Sequence, residues 1–400
     1  MGLRVKSSCL NASSPLLISA GLATHVLLFG CSGSSVVDAN EGSSPRDAVD
    51  SNPSAKNVPE PVAPPAASET AAAPADARPP TKGASAEDST ASSLTVADAG
   101  PLSDAQRAVF WGSTDDEVPE VLNAVKRENF DTHFLSSDEL HQYVLAEKIE
   151  GIGGGYIGVG TDQCWLFMGW QKPSLAWLAD YDRWVVALHW SYMAFFEHAS
   201  SIDEFIRLWD RENRTEAIKI LSKAYADRED RPLIIKVFRE ARHKVARRLR
   251  RIVSMGKRKR PTFLTDPEQF AFLKTMIEEG RVRPLVGNML SDRGYSGMGE
   301  SAKTLGVVIR HLYLSNAEDY WSYPDVFRSN MRGLPADERS VVSRARASKP
   351  INKDYRYMQQ PLRGFIQWLD SGVDRSRSMW KSRPIEEDEF PYTWFTTPPS

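Results

Sequence analysis

The stretch that decides the fold is residues 153–180, GGGYIGVGTDQCWLFMGWQKPSLAWLAD. Gly153, Gly154 and Gly155 stop any helix before them, and Tyr156-Ile157-Gly158-Val159-Gly160 reads as a short buried strand ending in a tight turn. After Thr161-Asp162-Gln163 an apolar run over 164–170 is interrupted by Lys172-Pro173, and a second buried strand, Leu175-Ala176-Trp177-Leu178-Ala179, closes on Asp180. A helix is predicted over 183–199, with Val185, Leu188, His189, Tyr192, Phe195 and Phe196 on one face. Strand, turn, short helix, strand, helix is the order of a doubly wound α/β sheet.

Downstream, residues 201–271 read as consecutive helices, the last a long basic one over about 233–255, and we take about 201–275 as a helical insertion on the sheet. Sheet character returns at Arg283-Pro284-Leu285-Val286-Gly287-Asn288. A glycine-rich loop is expected at Gly294, Gly297 and Gly299, then a strong strand over 307–314. The aromatic tail 390–395 is expected to pack back on the domain. Upstream, residues 104–150 are charged and amphipathic, which predicts two or three short helices covering an edge or a cleft.

The N-terminus has a different character. Arg4 and Lys6 precede an apolar stretch, 15–29, that is too short to span a bilayer comfortably and matches a signal-peptide core over residues 1–30. Leu28-Phe29-Gly30-Cys31 looks like a lipobox, making Cys31 the lipidated residue; a retained single-pass anchor is the rival reading. Residues 31–103 contain no Phe, Trp or Tyr and are rich in Ala, Ser and Pro, so they cannot bury enough apolar surface to fold and read as a disordered linker. A flexible coil of that length spans about 45–50 Å on average. The expected location is therefore the cell envelope, membrane-anchored and facing the periplasm or exterior.

All eleven Trp lie beyond the linker, which places the core in residues 104–400. The net charge of −2 gives no global nucleic-acid signature. Ten of the twenty residues from 241 to 260 are Lys or Arg, a solvated face or a contact for an anionic surface. With Cys9 in the signal and Cys31 lipidated, Cys164 stands alone, a small buried cysteine without a disulfide framework. His189 and His198 lack paired metal-ligand spacing, and no metal is expected. Ser296 lacks a nucleophile elbow, and there is no Walker loop.

Glycines at a strand end let a nucleotide-like cofactor approach the backbone, and an acid at the end of the next strand accepts hydrogen bonds from ribose hydroxyls. Gly158 and Gly160, with Asp180 twenty-two residues beyond Gly158, supply both parts, although Asp162 stands where a third glycine is usual. The competing reading is a tight turn whose acid caps the following helix.

The blocks 156–163, Trp177-Leu178-Ala179-Asp180, and Leu312-Tyr313-Leu314-Ser315-Asn316 with Glu318 and Tyr320 resemble the signature blocks of an uncharacterised bacterial family. Its members have a Rossmann-like, class I S-adenosylmethionine (SAM)-dependent methyltransferase-like fold. The resemblance covers about residues 130–335. It implies a SAM site built from Gly158, Gly160, Asp162, Gln163 and Asp180, with Ser315, Asn316 and Glu318 lining its mouth. The departure is Cys164, where the family tends to have Asn after the Gln.

Two functions follow as expectations. One is a SAM-dependent transferase acting on an unknown acceptor. The other is a non-catalytic binding module of the cell envelope that keeps the fold without the cofactor. Export favours the second, because SAM is made and kept in the cytoplasm.

Overall fold

The architecture follows from strands whose two faces are both apolar. In the computed structural model, which describes residues 95–98, 100–122, 129–347, 354–382 and 385–396, successive strand residues enter two different cores. The predicted signal 1–30, Cys31 and nearly all of the linker lie outside the described residues.

Helix α1 (Asp104–Trp111) starts at a capping box: the Ser103 Oγ accepts from the Gln106 N–H and the Gln106 side chain accepts from the Ser103 N–H. Strand β1 (Gly155–Val159), helix α2 (Asp162–Gln171), strand β2 (Leu175–Asp180) and helix α3 (Arg183–His198) follow, close to the expected bounds. Four helices then fill the crossover to the next strand: α4 (Ile202–Arg207), α5 (Arg214–Ala224), α6 (Arg231–Arg258) and α7 (Pro267–Glu278). Strand β3 (Val282–Val286), helix α8 (Gly294–Thr304), strand β4 (Ile309–Tyr313), helix α9 (Asp325–Gly333) and strand β5 (Val341–Ala347) continue the alternation. The chain closes with β6 (Tyr355–Pro361), α10 (Leu362–Asp370), α11 (Ser376–Ser382), β7 (Ile385–Glu389) and β8 (Tyr392–Phe395).

These strands form one eight-stranded mixed sheet in the order β3-β2-β1-β4-β5-β6-β8-β7. The first five are mutually parallel, β6 runs antiparallel to β5, β8 is parallel to β6, and β7 is antiparallel to β8. Ile157 lies beside Trp177 on one side and Leu312 on the other. Tyr156, Ala176 and Leu178 face a core shared with α2, α3 and the helices of the crossover, whereas Ile157, Leu175 and Trp177 face one shared with α8, α9 and α10. That alternation is the two-residue period of a strand buried on both sides. Aromatic rings join α2 to α3, Trp165 packing 5.1 Å from Phe196, and tie the crossover to α3, Phe196 lying 4.4 Å from Phe205 and Tyr192 4.7 Å from Trp209.

Two expectations need correction. The glycines Gly294, Gly297 and Gly299 lie in α8 rather than in a loop, because the helix must approach other backbone closely; a Cβ on Gly299 would stand 2.8 Å from the Gly333 carbonyl oxygen. The segment 104–150 holds α1 and one 3-10 turn, Gln142–Leu145, among its described residues, and much of the remainder is irregular. Beside bonds within itself, it hydrogen-bonds to residues at the ends of sheet strands, Asp162, Asp182 and Asp354 among them.

Candidate functional site

The chain winds from β1 out to β2 and β3, then returns past β1 to β4 and β5. Crossovers therefore leave β1 and β4 in opposite directions, and their carboxyl ends mark the place where open α/β sheets form a ligand crevice. Gly160, Asp162 and Gln163 follow β1, Asp180 ends β2, and Ser315 follows β4, so the winding brings these five together.

A strap of the chain's own backbone, residues 133–145, crosses this edge. At one end His133 Nδ1 lies 2.9 Å from Asp182 Oδ2, with its ring stacked on Trp184. In the middle the Ser137 N–H donates to Asp162 Oδ1 (2.8 Å). At the far end the Leu140 N–H donates to Asp354 Oδ1 (2.9 Å), the His141 N–H to the Tyr357 hydroxyl (3.1 Å), and His141 Nδ1 lies 2.5 Å from Asp354 Oδ2. The strap thus runs from the end of β2, past β1 and β4, to the start of β6.

Beneath it lies a buried polar network. Arg248, on α6, donates through Nε to Asp162 Oδ2 (2.6 Å), through Nη1 to the Glu139 carbonyl (2.7 Å) and through Nη2 to Gln142 Oε1 (2.5 Å). Both ends of this ion pair are buried. The Glu139 carboxylate accepts from the Tyr313 hydroxyl at 2.5 and 2.6 Å, from Gln142 Nε2 at 2.8 Å and from Ser315 Oγ at 3.1 Å. Burial pushes the Glu139 carboxyl up to about 7 against the opposing pull of Tyr313, Gln142, Arg248 and Ser315. Ser315 sits at φ 53°, in the left-handed region, where a non-glycine residue is uncommon.

The glycine turn is fastened at both of its backbone poles. The Gly160 N–H donates to Asp180 Oδ2 (3.2 Å) and its carbonyl accepts from His189 Nε2 (2.8 Å), which places the histidine proton on Nε2. At φ 98° the position suits glycine, and a Cβ there would run into the Gln163 amide. Gln163 in turn accepts from the Thr161 N–H (3.0 Å). Asp180 also accepts from the Asp182 N–H (2.9 Å), and burial raises its carboxyl to about 7. The acid that caps α3 is Asp182, whose Oδ1 accepts from the Trp184 N–H. His189 is a core histidine, lowered to about 4 by burial. Gly158 lies against the Tyr156 phenol, and Cys164 is buried, its thiol pushed up by burial.

Glu318 and Asn316 lie apart from this network. Glu318 is buried against Arg344 Nη1 (3.0 Å) and accepts from the Tyr323 hydroxyl (2.8 Å), while Arg344 packs over Phe365 in the second core. Asn316 heads the 3-10 turn Ala317–Tyr320 without a side-chain cap.

As folded, the residues that the resemblance assigns to SAM are already hydrogen-bonded within the chain. The side chains that would hold its ribose and methionine ends are bonded to the glycine turn, to the strap or to Arg248. Among the described residues no group of three His, Cys, Asp or Glu could hold a metal ion, and no helix is long and apolar enough to cross a membrane.

Sequence reasoning overlooked Glu139 and Arg248. For Arg248 a signal exists: it falls in helical phase with Ala241, Val245, Ile252 and Met255, all buried. An arginine on the apolar stripe of a basic helix announces an inward partner. Glu139 carries no such signal, because it lies in irregular chain.

A domain of unknown function, DUF7790, matches residues 134–390. The chain belongs to this family. The match starts on the strap and ends after β7, so nearly all of the strap, the crossover helices and every strand but β8 fall within the family domain. A search of curated proteins returns no match.

Proposed function

We propose that this DUF7790 chain is a non-catalytic binding module of the cell envelope, a methyltransferase-like, Rossmann-like sheet whose cofactor crevice has been taken over by its own strap. One observation carries the reading: Asp162 and Glu139, the two carboxylates at the switch point, are buried and fully engaged with Arg248, Tyr313, Gln142 and strap backbone. A ligand entering there would have to displace charge-assisted hydrogen bonds inside a low-dielectric interior. The strand order 3-2-1-4-5 supports the methyltransferase-like lineage, and the antiparallel strands beyond β5 depart from the usual dinucleotide-binding order. Export through residues 1–30 and lipidation of Cys31 complete the proposal. Mass spectrometry of the mature N-terminus tests both, and an unmodified residue 1 would count against them.

Calorimetric titration of the full chain with SAM tests the module itself. The expected result is no heat of binding at millimolar ligand with the protein folded. A second reading, a SAM-dependent transferase whose strap opens, is favoured by the contact that joins Gly160 to Asp180 at the place a ribose acid occupies. Saturable heat that is lost in Asp180→Ala would remove the first reading and show that the crevice binds SAM, as the second requires.

A further inference from the structure

Helix α6 presents a cationic face on which, among the described residues, bases outnumber acids. Its inner side, Ala241, Val245, Leu249 and Ile252, is buried, which turns Arg239, Lys244, Arg247, Arg250, Arg251 and Arg258 outward, all of them exposed. Arg247 lies three residues from both Lys244 and Arg250 and four from Arg251, so like charges lie one turn apart, an arrangement that destabilises a helix. Glu240 is the only acid in the helix, and among the described residues the one ion pair on this face joins Arg250 to Asp210. From Arg239 to Arg258 the face extends about 28 Å. Beside it lies a groove of about 310 Å³ in which Arg211, Arg242, Arg247 and Arg250 outnumber Asp210 and Glu212.

We propose that this face of α6 docks on an anionic phospholipid surface, with its arginines pairing with headgroup phosphates and the groove admitting one headgroup. An extended row of cations matches a plane of phosphates, and each Lys or Arg near such a surface adds to the attraction. One feature favours lipid over nucleic acid: no large apolar or aromatic side chain of α6 is exposed for base stacking. The contact is purely electrostatic, since nothing apolar on this face would insert into the acyl region. It is independent of whether the crevice binds SAM.

The test is co-sedimentation of the full chain with vesicles of phosphatidylglycerol and phosphatidylcholine, against vesicles of phosphatidylcholine alone. Any insertion of the N-terminal apolar stretch contributes to both, so the difference reports α6. The expected preference for the anionic vesicles is about tenfold or more in about 0.1 M salt and collapses in about 0.5 M. Reversal at Arg239→Glu, Arg247→Glu and Arg251→Glu together should abolish it, and the matching Arg→Lys triple variant should keep it, with thermal midpoints confirming that both fold. Equal binding to the two vesicle types, an unchanged preference in the folded reversal variant, or displacement from vesicles by duplex DNA at equal phosphate concentration would each overturn the proposal.

Discussion

Arg248 is the residue on which the crevice turns. It is one of ten cations within twenty residues, yet it alone on α6 reaches inward to a buried carboxylate, Asp162. Removing one partner of a buried pair leaves an uncompensated charge, so Arg248→Ala should destabilise the protein by about 3–5 kcal/mol. Adding Asp162→Asn should restore part of that loss in urea unfolding; strictly additive losses would show that the two residues do not form a pair. Glu139 makes a different kind of statement. Its carboxyl is raised from an ordinary 4.5 to about 7, chiefly by burial, so the folded state prefers the protonated form. That preference stabilises fully below the unfolded pKa and is lost as pH rises through about 7. Glu139→Gln should therefore flatten the decline in stability between about pH 5 and pH 8, a difference on the order of 3 kcal/mol. Unfolding curves of variant and parent that keep the same slope across this range would refute it.

Among the elements, the strap has the least structure of its own and the most consequence. It is held by side chains from three separate parts of the chain: Asp182 after β2, Asp162 in α2, and Asp354 before β6. Amides bonded to a carboxylate exchange slowly only while that carboxylate stays in place. Asp354→Ala should accordingly speed amide hydrogen exchange across residues 137–141 while leaving β1 and β2 protected, as read by mass spectrometry of exchanged peptides. Equal acceleration in the sheet would mean that strap and sheet open as one unit. The crossover helices behave differently, since aromatic contacts such as Phe196 with Phe205 and Phe195 with Trp209 tie them to α3, and they should share the protection of the sheet.

For the whole molecule, two pairs of buried groups oppose each other in pH. Asp180, like Glu139, is raised to about 7 by burial, and both favour the folded state at low pH. His189 and His311 are lowered to about 4 and about 3 by burial. Their contribution is present above the unfolded histidine value and lost as pH falls toward those folded values. Between about pH 4.5 and 6.5 the histidines oppose these two acids and Glu318, which burial also raises, so stability should change least there, falling more steeply as pH rises toward 7 and as it drops below about 4.5. Thermal midpoints recorded from acid to mildly alkaline buffer would show this plateau, and a steady rise from pH 5 to pH 8 would contradict it.

Features that depend on neighbours a few residues away can be read directly from the order of amino acids. The apolar strands at 156–160 and 175–179, the helices α3 and α6, the turn at Gly160 and the acid at Asp180 were legible because strand and helix periods are local. The tertiary structure alone decided what those residues do. Arg248 meets Asp162 across 86 residues and Tyr313 meets Glu139 across 174, separations that no periodicity records. The glycines of α8 look like a loop in sequence because the backbone that crowds them, at Thr114 and Gly333, lies far along the chain. Residues 153–180 specify a strand, a turn and an acid; the strap and Arg248 decide that this turn is sealed from within.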